Sequence, residues 1–323
     1  MEKQTENKTK INDVITLLDN KSFLRMNLFR LFAINSIDGM AFYYHMGEMG
    51  QLPVIGGFFK KLMASYYKYV HTSAVKLPLK DIEEVINSAS HVSVGPCPCR
   101  IIFDKNKCDA PIYTCLKINH FSRVTTGMQK LASKLNKERG LKLGNEHSKV
   151  LTKEEAIEIM RNARKHDLVF SLESCIQPYQ NNICACCTDC CIELNLRYKF
   201  GLDVSPGGPY IPVFSQDSCT GCGICEKRCP VQAISLSEKK PSVDLKKCLG
   251  CGICAEVCGK ASISMTIEPS RIPAAIEPGP VKLTMVFFLS LVTFLIFTVH
   301  RWGKKSGNVK YFLAKPRKSD LIQ

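Results

Sequence analysis

The sequence predicts an α+β protein organised around a duplicated cysteine unit, and three observations carry that prediction. Residues 219–229 and 248–258 repeat one cysteine spacing, helix-period and strand-like runs alternate between 78 and 204, and a charge-free apolar run near the C-terminus precedes a basic tail. Cys219-x-x-Cys222-x-x-Cys225-x-x-x-Cys229-Pro230 is answered 29 residues later by Cys248-x-x-Cys251-x-x-Cys254-x-x-x-Cys258-Gly259. At the same offset Gly221 falls on Gly250, Gly223 on Gly252, Ile224 on Ile253 and Ile234 on Ile263. The unit is therefore an internal repeat.

The spacing has a chemical meaning. Three thiolates two residues apart, on a loop loosened by Gly221 and Gly223, can wrap three corners of an iron–sulfur cube. The fourth cysteine of each copy stands too far round to close the same cube. Zinc ribbons use pairs of cysteines separated by a longer loop and have no use for a third at the same step. Residues 211–266 resemble the bacterial-type two-cluster [4Fe-4S] ferredoxin domains. In that family the fourth cysteine ligates the partner cluster. The resemblance thus implies one cluster on Cys219, Cys222, Cys225 and Cys258, and a second on Cys248, Cys251, Cys254 and Cys229. Gly259 stands where the family usually has proline, a departure that leaves the ligands intact.

The chain has 323 residues, enough for two modest domains and an anchor, and 18 cysteines. Their grouping as C-x-C, C-x-x-C and adjacent pairs argues for metal thiolates in a reducing compartment. The opening ten residues are polar and give no secretory signal, so clusters made and kept in the cytoplasm are expected. The formal charge of +15 counts every cysteine as neutral. Two oxidised four-thiolate cubanes at about −2 each bring it to about +11. Seven basic residues lie beyond position 300 against the single acid Asp320, which suits an anionic membrane surface or an acidic partner. No recognition module supports nucleic-acid binding.

In chain order, residues 1–77 form an N-terminal helical region. Residues 23–32 repeat apolar positions at three and four, while Gly39, Gly47, Gly50, Pro53, Gly56 and Gly57 break the rest into pieces too short to span a bilayer. Residues 78–204 form a cysteine-rich α/β domain, expected to be helical in the main with short strands. Leu79 to Ser90 reads as a helix with Ile82, Val85 and Ile86 on one face, and Val92-Ser93-Val94 as a strand. Prolines 96 and 98 are expected to hold Cys97 and Cys99 outside any helix. Residues 127–143 read as a basic solvated helix. Thr152 and Glu155 form a capping box ahead of a stripe of Ala156, Ile159, Met160 and Ala163, with His166 at the helix end before Leu168-Val169-Phe170.

The remaining cysteines form a second array. Pro96-Cys97-Pro98-Cys99-Arg100, Cys108-Asp109-Ala110-Pro111 and the run Ile183 to Cys191 resemble segments that precede the dicluster unit in a recurrent ferredoxin-domain type of anaerobic bacteria and archaea. Ala185 replaces the usual Asn. The resemblance fixes architecture better than activity. A third site is expected on Cys99, Cys108, Cys187 and Cys190, with Cys97, Cys115, Cys184, Cys186 and Cys191 as substitutes. Its occupant is a third iron–sulfur cluster, zinc, or no metal with the thiols cycling to disulfides.

Residues 205–268 make the dicluster domain, entered through a Ser205–Pro209 linker, and 269–281 a proline-bearing spacer. Leu283 to Val299 carries no charge and spans about 26 Å as a helix, against about 30 Å of hydrocarbon. With Lys282 and Arg301 snorkelling, residues 282–300 are expected to form a transmembrane helix, followed by a basic tail at 301–323. Orientation stays open, because the tail and the cluster domains both belong in the cytoplasm. These features predict a protein of the cell membrane that carries single electrons to a redox partner, such as an acidic ferredoxin, a flavoprotein or a membrane oxidoreductase. The alternatives are a reductase whose cysteine array is the reaction centre, and a redox or metal sensor.

Overall fold

The computed structural model describes residues 46–69, 74–102, 108–123, 125–127, 148–173, 182–202 and 204–272. The amphipathic stretch at 23–32, the basic helix expected at 127–143 beyond its first residue, the anchor at 282–300 and the tail at 301–323 lie outside them. Among the described residues no helix is long and apolar enough to cross a membrane.

After helix α1 (Gly56–Tyr69), the chain builds β1 (Val75–Leu77), α2 (Leu79–Ser88), β2 (Val92–Gly95), α3 (Pro98–Ile102) and β3 (Cys115–Ile118). It continues through β4 (Lys149–Leu151), α4 (Lys153–Lys165), β5 (Val169–Glu173) and β6 (Asn182–Cys186). The six strands form one sheet in the order β1-β5-β6-β3-β2-β4, every pair antiparallel. Helix α2 buries Ile82, Val85 and Ile86, and α4 buries Ala156, Met160 and Ala163, against one face of this sheet. The α4 capping box is formed: Glu155 N–H donates to Thr152 Oγ1 at 3.2 Å and Thr152 N–H to the Glu155 carboxylate at 2.8 Å.

Among the described residues the cysteine-rich domain is thus a mixed one, its helices laid on a six-stranded sheet, and not the mainly helical domain expected. The strands are hard to read because each is only three to five residues long. Leu77, Leu116, Phe170, Leu172, Ile183 and Ala185 face the helices, while the alternate positions Lys76, Ser171, Cys184 and Cys186 point to the other side. The polar and thiol side chains of that second face are enclosed as well, so an alternation that usually marks a half-exposed strand here marks two buried faces.

A short helix α5 (Ile192–Leu194), continued as a π-helical turn over Asn195–Lys199, lies after the cysteine run. The duplicated unit then follows as β7 (Tyr210–Phe214), α6 (Ile224–Lys227), β8 (Ile234–Ser237), β9 (Lys240–Val243), α7 (Ile253–Glu256) and β10 (Ile263–Ile267). β7 pairs with β10 and β8 with β9, both antiparallel, so each repeat contributes to both ribbons.

The two units share a core: Val169, Cys186, Cys191 and Leu194 pack with Val231, Ala233, Cys248, Leu249 and Ile253. Residues 205–209 are accordingly not a loose linker. Ser205 is buried and donates to Glu193 at 2.8 Å, Gly208 N–H donates to Leu249 O at 2.9 Å, and the Gly208 backbone lies against the carbonyl of Lys76 on edge strand β1. The proline-bearing spacer also begins folded, as a single 3₁₀ turn at Pro269–Arg271 whose Arg271 donates to the carbonyls of Cys248 and Tyr210.

Candidate functional site

The repeat dictates the loop geometry around its eight cysteines. Gly223 and Gly252 begin α6 and α7 at φ 77° and 79°, and Gly221 and Gly250 before them sit at φ 66° and 69°. Glycine enters this left-handed region without the Cβ penalty. A Cβ at Gly221 would overlap Lys239, and one at Gly250 the Tyr210 carbonyl. The fourth cysteines match as well: Ala233 N–H donates to Cys229 Sγ and Ser262 N–H to Cys258 Sγ, both at 3.3 Å.

One neighbourhood of thiols cuts across the repeats. Burial raises the Cys225 thiol, and the charges of Cys219 and Cys222 add to that. Cys258 packs against the same small core as Cys225, and so do Cys229 and Cys254. Burial pushes Cys251 up to about 11, opposed by Arg164 and reinforced by Cys229 and Cys248. Cys254 is raised by burial and then by Cys251, Cys248 and Cys229. Cys229 of the first repeat therefore lies among the cysteines of the second. Free thiols, backbone N–H groups aimed at sulfur, and glycines where side chains would collide all fit iron–sulfur clusters.

Residues 218–262 match the family model of the 4Fe-4S dicluster domain. The chain carries a 4Fe-4S dicluster domain of the ferredoxin type. It is similar to the ferredoxin-type protein NapF of Escherichia coli (strain K12), at 33% identity over 75 residues, which cover 23% of this chain and 43% of that protein. The ferredoxin-type protein NapF of Haemophilus influenzae is 37% identical over 57 residues, covering 18% of this chain and 30% of that protein. The chain thus spans less than half the length of these curated relatives.

Basic side chains of the cysteine-rich domain reach the dicluster domain. Arg164, buried at the end of α4, donates to the Cys251 carbonyl at 3.1 Å, ion-pairs with Glu256 at 3.0 Å and stacks over Phe170 at 4.2 Å. Asp167 receives a two-pronged bond from Arg228, both contacts at 2.6 Å. Tyr198 Oη donates to the Lys247 carbonyl at 2.7 Å.

The second array straddles the sheet: Cys184, Cys186 and Cys191 lie on the face opposite the helices, while Cys108 and Cys187 pack against the helix-side core. Cys108, Cys187 and Cys190 converge, their sulfurs all within 4.8 Å of one another and Cys108 Sγ 3.5 Å from Cys187 Sγ. Cys99, expected beside them, instead interacts with Cys97 and Cys191. The reason is local: Pro98 does not keep Cys99 out of a helix but opens α3, since proline suits the first helical position. From Cys191 the file of thiols runs on to Cys186, Cys184 and Cys115. Cys97 is lowered to about 6 by its bond from Cys99, with Arg100 contributing.

Four charged residues around this face escaped sequence reasoning. Lys76 is 1% exposed, donates to Ser171 Oγ at 2.8 Å and pairs with Glu193 at 3.4 Å. Burial alone would lower its pKa, but the neighbouring charges, Glu193 first, outweigh it and hold the ammonium charged. Arg100 is buried and donates to Pro111 O, Thr114 Oγ1 and Ala185 O. Flanked by Val75 and Leu77, Lys76 carries no sequence signal of burial.

Glu173 gives a test with a definite sign. Its carboxyl is held well above its ordinary value of 4.5, first by burial and then by Glu193. The folded chain keeps a proton that the unfolded chain releases above that value, so stability falls as pH rises from there until the folded pKa is passed. Glu173→Gln removes the dependence. In anaerobic thermal unfolding, variant and parent should coincide near pH 5 and separate in the variant's favour at pH 8; an equal gap at both would refute the account.

Proposed function

We propose that this protein is a membrane-associated carrier of single electrons, with two [4Fe-4S] clusters ligated crosswise. Cys219, Cys222, Cys225 and Cys258 would hold one, and Cys248, Cys251, Cys254 and Cys229 the other. The observation that carries the reading is the position of Cys229 among the second repeat's cysteines. Bound clusters supply one-electron chemistry and need no acid, base or nucleophile from the protein. What this chain contributes is burial of the second site and a fixed cation, Arg164, beside Cys251. Positive charge there favours the more negative reduced cluster and raises its potential.

Attachment to the cell membrane, with the cluster domains in the cytoplasm, is supported by the charge-free run 283–299 and the basic tail. The partner would be an acidic ferredoxin, a flavoprotein or a membrane oxidoreductase. A second reading, electron delivery into the cysteine array as in a reductase, is favoured by one contact: Cys186 and Cys191 share a core with Cys248 and Leu249.

Anaerobic redox titration of the full chain, followed by electron paramagnetic resonance, tests the carrier reading. Two reversible one-electron steps are expected, with the step of the second site shifted to lower potential in Arg164→Leu. Irreversible or absent signals would remove the carrier function. The full chain should sediment with membranes and a chain ending at residue 280 should not; recovery of both in the soluble fraction would remove the membrane part alone.

A further inference from the structure

We propose that Cys108, Cys187 and Cys190 bind one divalent metal ion of the zinc class, leaving its fourth coordination position open to a small exogenous donor. Spacing is the first reason. A tetrahedral ion with metal–sulfur bonds of about 2.3 Å holds its thiolates roughly 3.8 Å apart. The three sulfurs lie within 4.8 Å of one another, and the Cys108–Cys187 separation is 3.5 Å. Thiolates on a cubane each bind a different iron and stand farther apart. The eight dicluster cysteines illustrate this, for among the described residues no three of them gather as tightly.

The second reason is a rigid frame. Cys187 and Cys190 bracket a turn that follows β6, the C-x-x-C step common in zinc sites. Asn195 locks that turn from behind, its amide donating to the carbonyls of Thr188, Asp189 and Cys191. Cys191 N–H also donates to Cys187 O at 3.1 Å. Held this way, the two thiols need little rearrangement to take a metal.

Charge supplies the third. Arg100 is 4% exposed and, among the described residues, forms no ion pair with a carboxylate; its hydrogen bonds go to two carbonyls and a hydroxyl. The charged groups acting on it are Cys97, Cys187 and Cys108. A buried guanidinium without an anion is costly. Three thiolates on a divalent ion carry a net charge of about −1, which matches the single positive charge of Arg100.

The fourth position follows by elimination among the described residues. Cys99 and Cys97 are engaged with each other and with Cys191, and no histidine, carboxylate or further cysteine joins the group. Three protein ligands and one free position is the arrangement of zinc ions that act on a bound ligand, whereas purely structural sites are closed by four. Water would fill it at rest. With Arg100 nearby, an anionic donor such as a small thiolate is the favoured replacement.

The test uses the full chain, purified anaerobically without thiol reductants. About one zinc beside about eight irons is expected, with zinc-edge absorption fine structure showing three sulfurs and one lighter donor. Adding 2-mercaptoethanol should convert the shell to four sulfurs. Cys108→Ser, Cys187→Ser and Cys190→Ser should each lose the zinc and keep the irons, the retained dicluster signal showing that the variant is folded. Cys175→Ser, at a position outside the described residues, should keep both metals. About twelve irons without zinc would replace the proposal by a third cubane. Four sulfurs at rest, or zinc loss in Cys175→Ser, would overturn the open position; eight irons and no zinc would overturn the metal.

Discussion

Replacing Cys229 by alanine is expected to strip the second repeat's site of iron while the first repeat's site survives. The full chain should fall from about eight dicluster irons to about four, and the lost signal should be that of the cluster held by Cys248, Cys251 and Cys254. The reason is spatial. Cys229 belongs to the first repeat by sequence, yet its charge acts on Cys251 and Cys254. Cys258→Ala should do the reverse, as the crosswise ligation proposed above requires. Loss of the Cys219, Cys222 and Cys225 site in Cys229→Ala would show that each repeat closes its own cluster.

Gly208→Val should be the most damaging single change away from the cysteines. A Cβ at Gly208 would overlap the carbonyl oxygen of Lys76, and backbone on both sides leaves no flexible end to move. Strand β1 or the Gly208–Leu249 hydrogen bond has to give way, which opens the seam between the two units. A cost of about 3 kcal/mol or more is expected, at the upper end for overpacking. The control is Gly259→Ala, where nothing lies within 4 Å of the added carbon and φ is not positive. It should change anaerobic denaturant midpoints little. Similar midpoints for the two variants would mean that the seam contributes nothing to stability.

Much of the dicluster domain was legible because a repeat displays itself. The in-register cysteines and glycines specify loop shape directly, and the left-handed φ values at Gly221, Gly223, Gly250 and Gly252 are what that spacing demands. Local signals worked elsewhere too. The Thr152 and Glu155 capping box and the stripe of Ile82, Val85 and Ile86 depend on neighbours within a turn or two, so they were readable without the fold.

The cysteine array was only half legible. Its residues stood out by density, and Cys108, Cys187 and Cys190 do meet. The partner of Cys99 did not, because Pro98 opens a helix that turns it to Cys97 and Cys191. The sheet was hidden by its short strands, each of three to five residues.

By itself, then, the sequence determined which residues carry the chemistry: the eight repeated thiols, the extra array, and the local caps and glycines that shape their loops. Tertiary structure alone decided which thiols of the extra array share a neighbourhood. It set Cys99 with Cys97 and Cys191, and buried Lys76, Arg100 and Arg164 beside thiols and carboxylates far away in sequence. The physical reason is that cysteine spacing constrains one loop at a time. The meeting of loops depends on how a six-stranded sheet, closed on one face by helices, presents its other face to the dicluster domain.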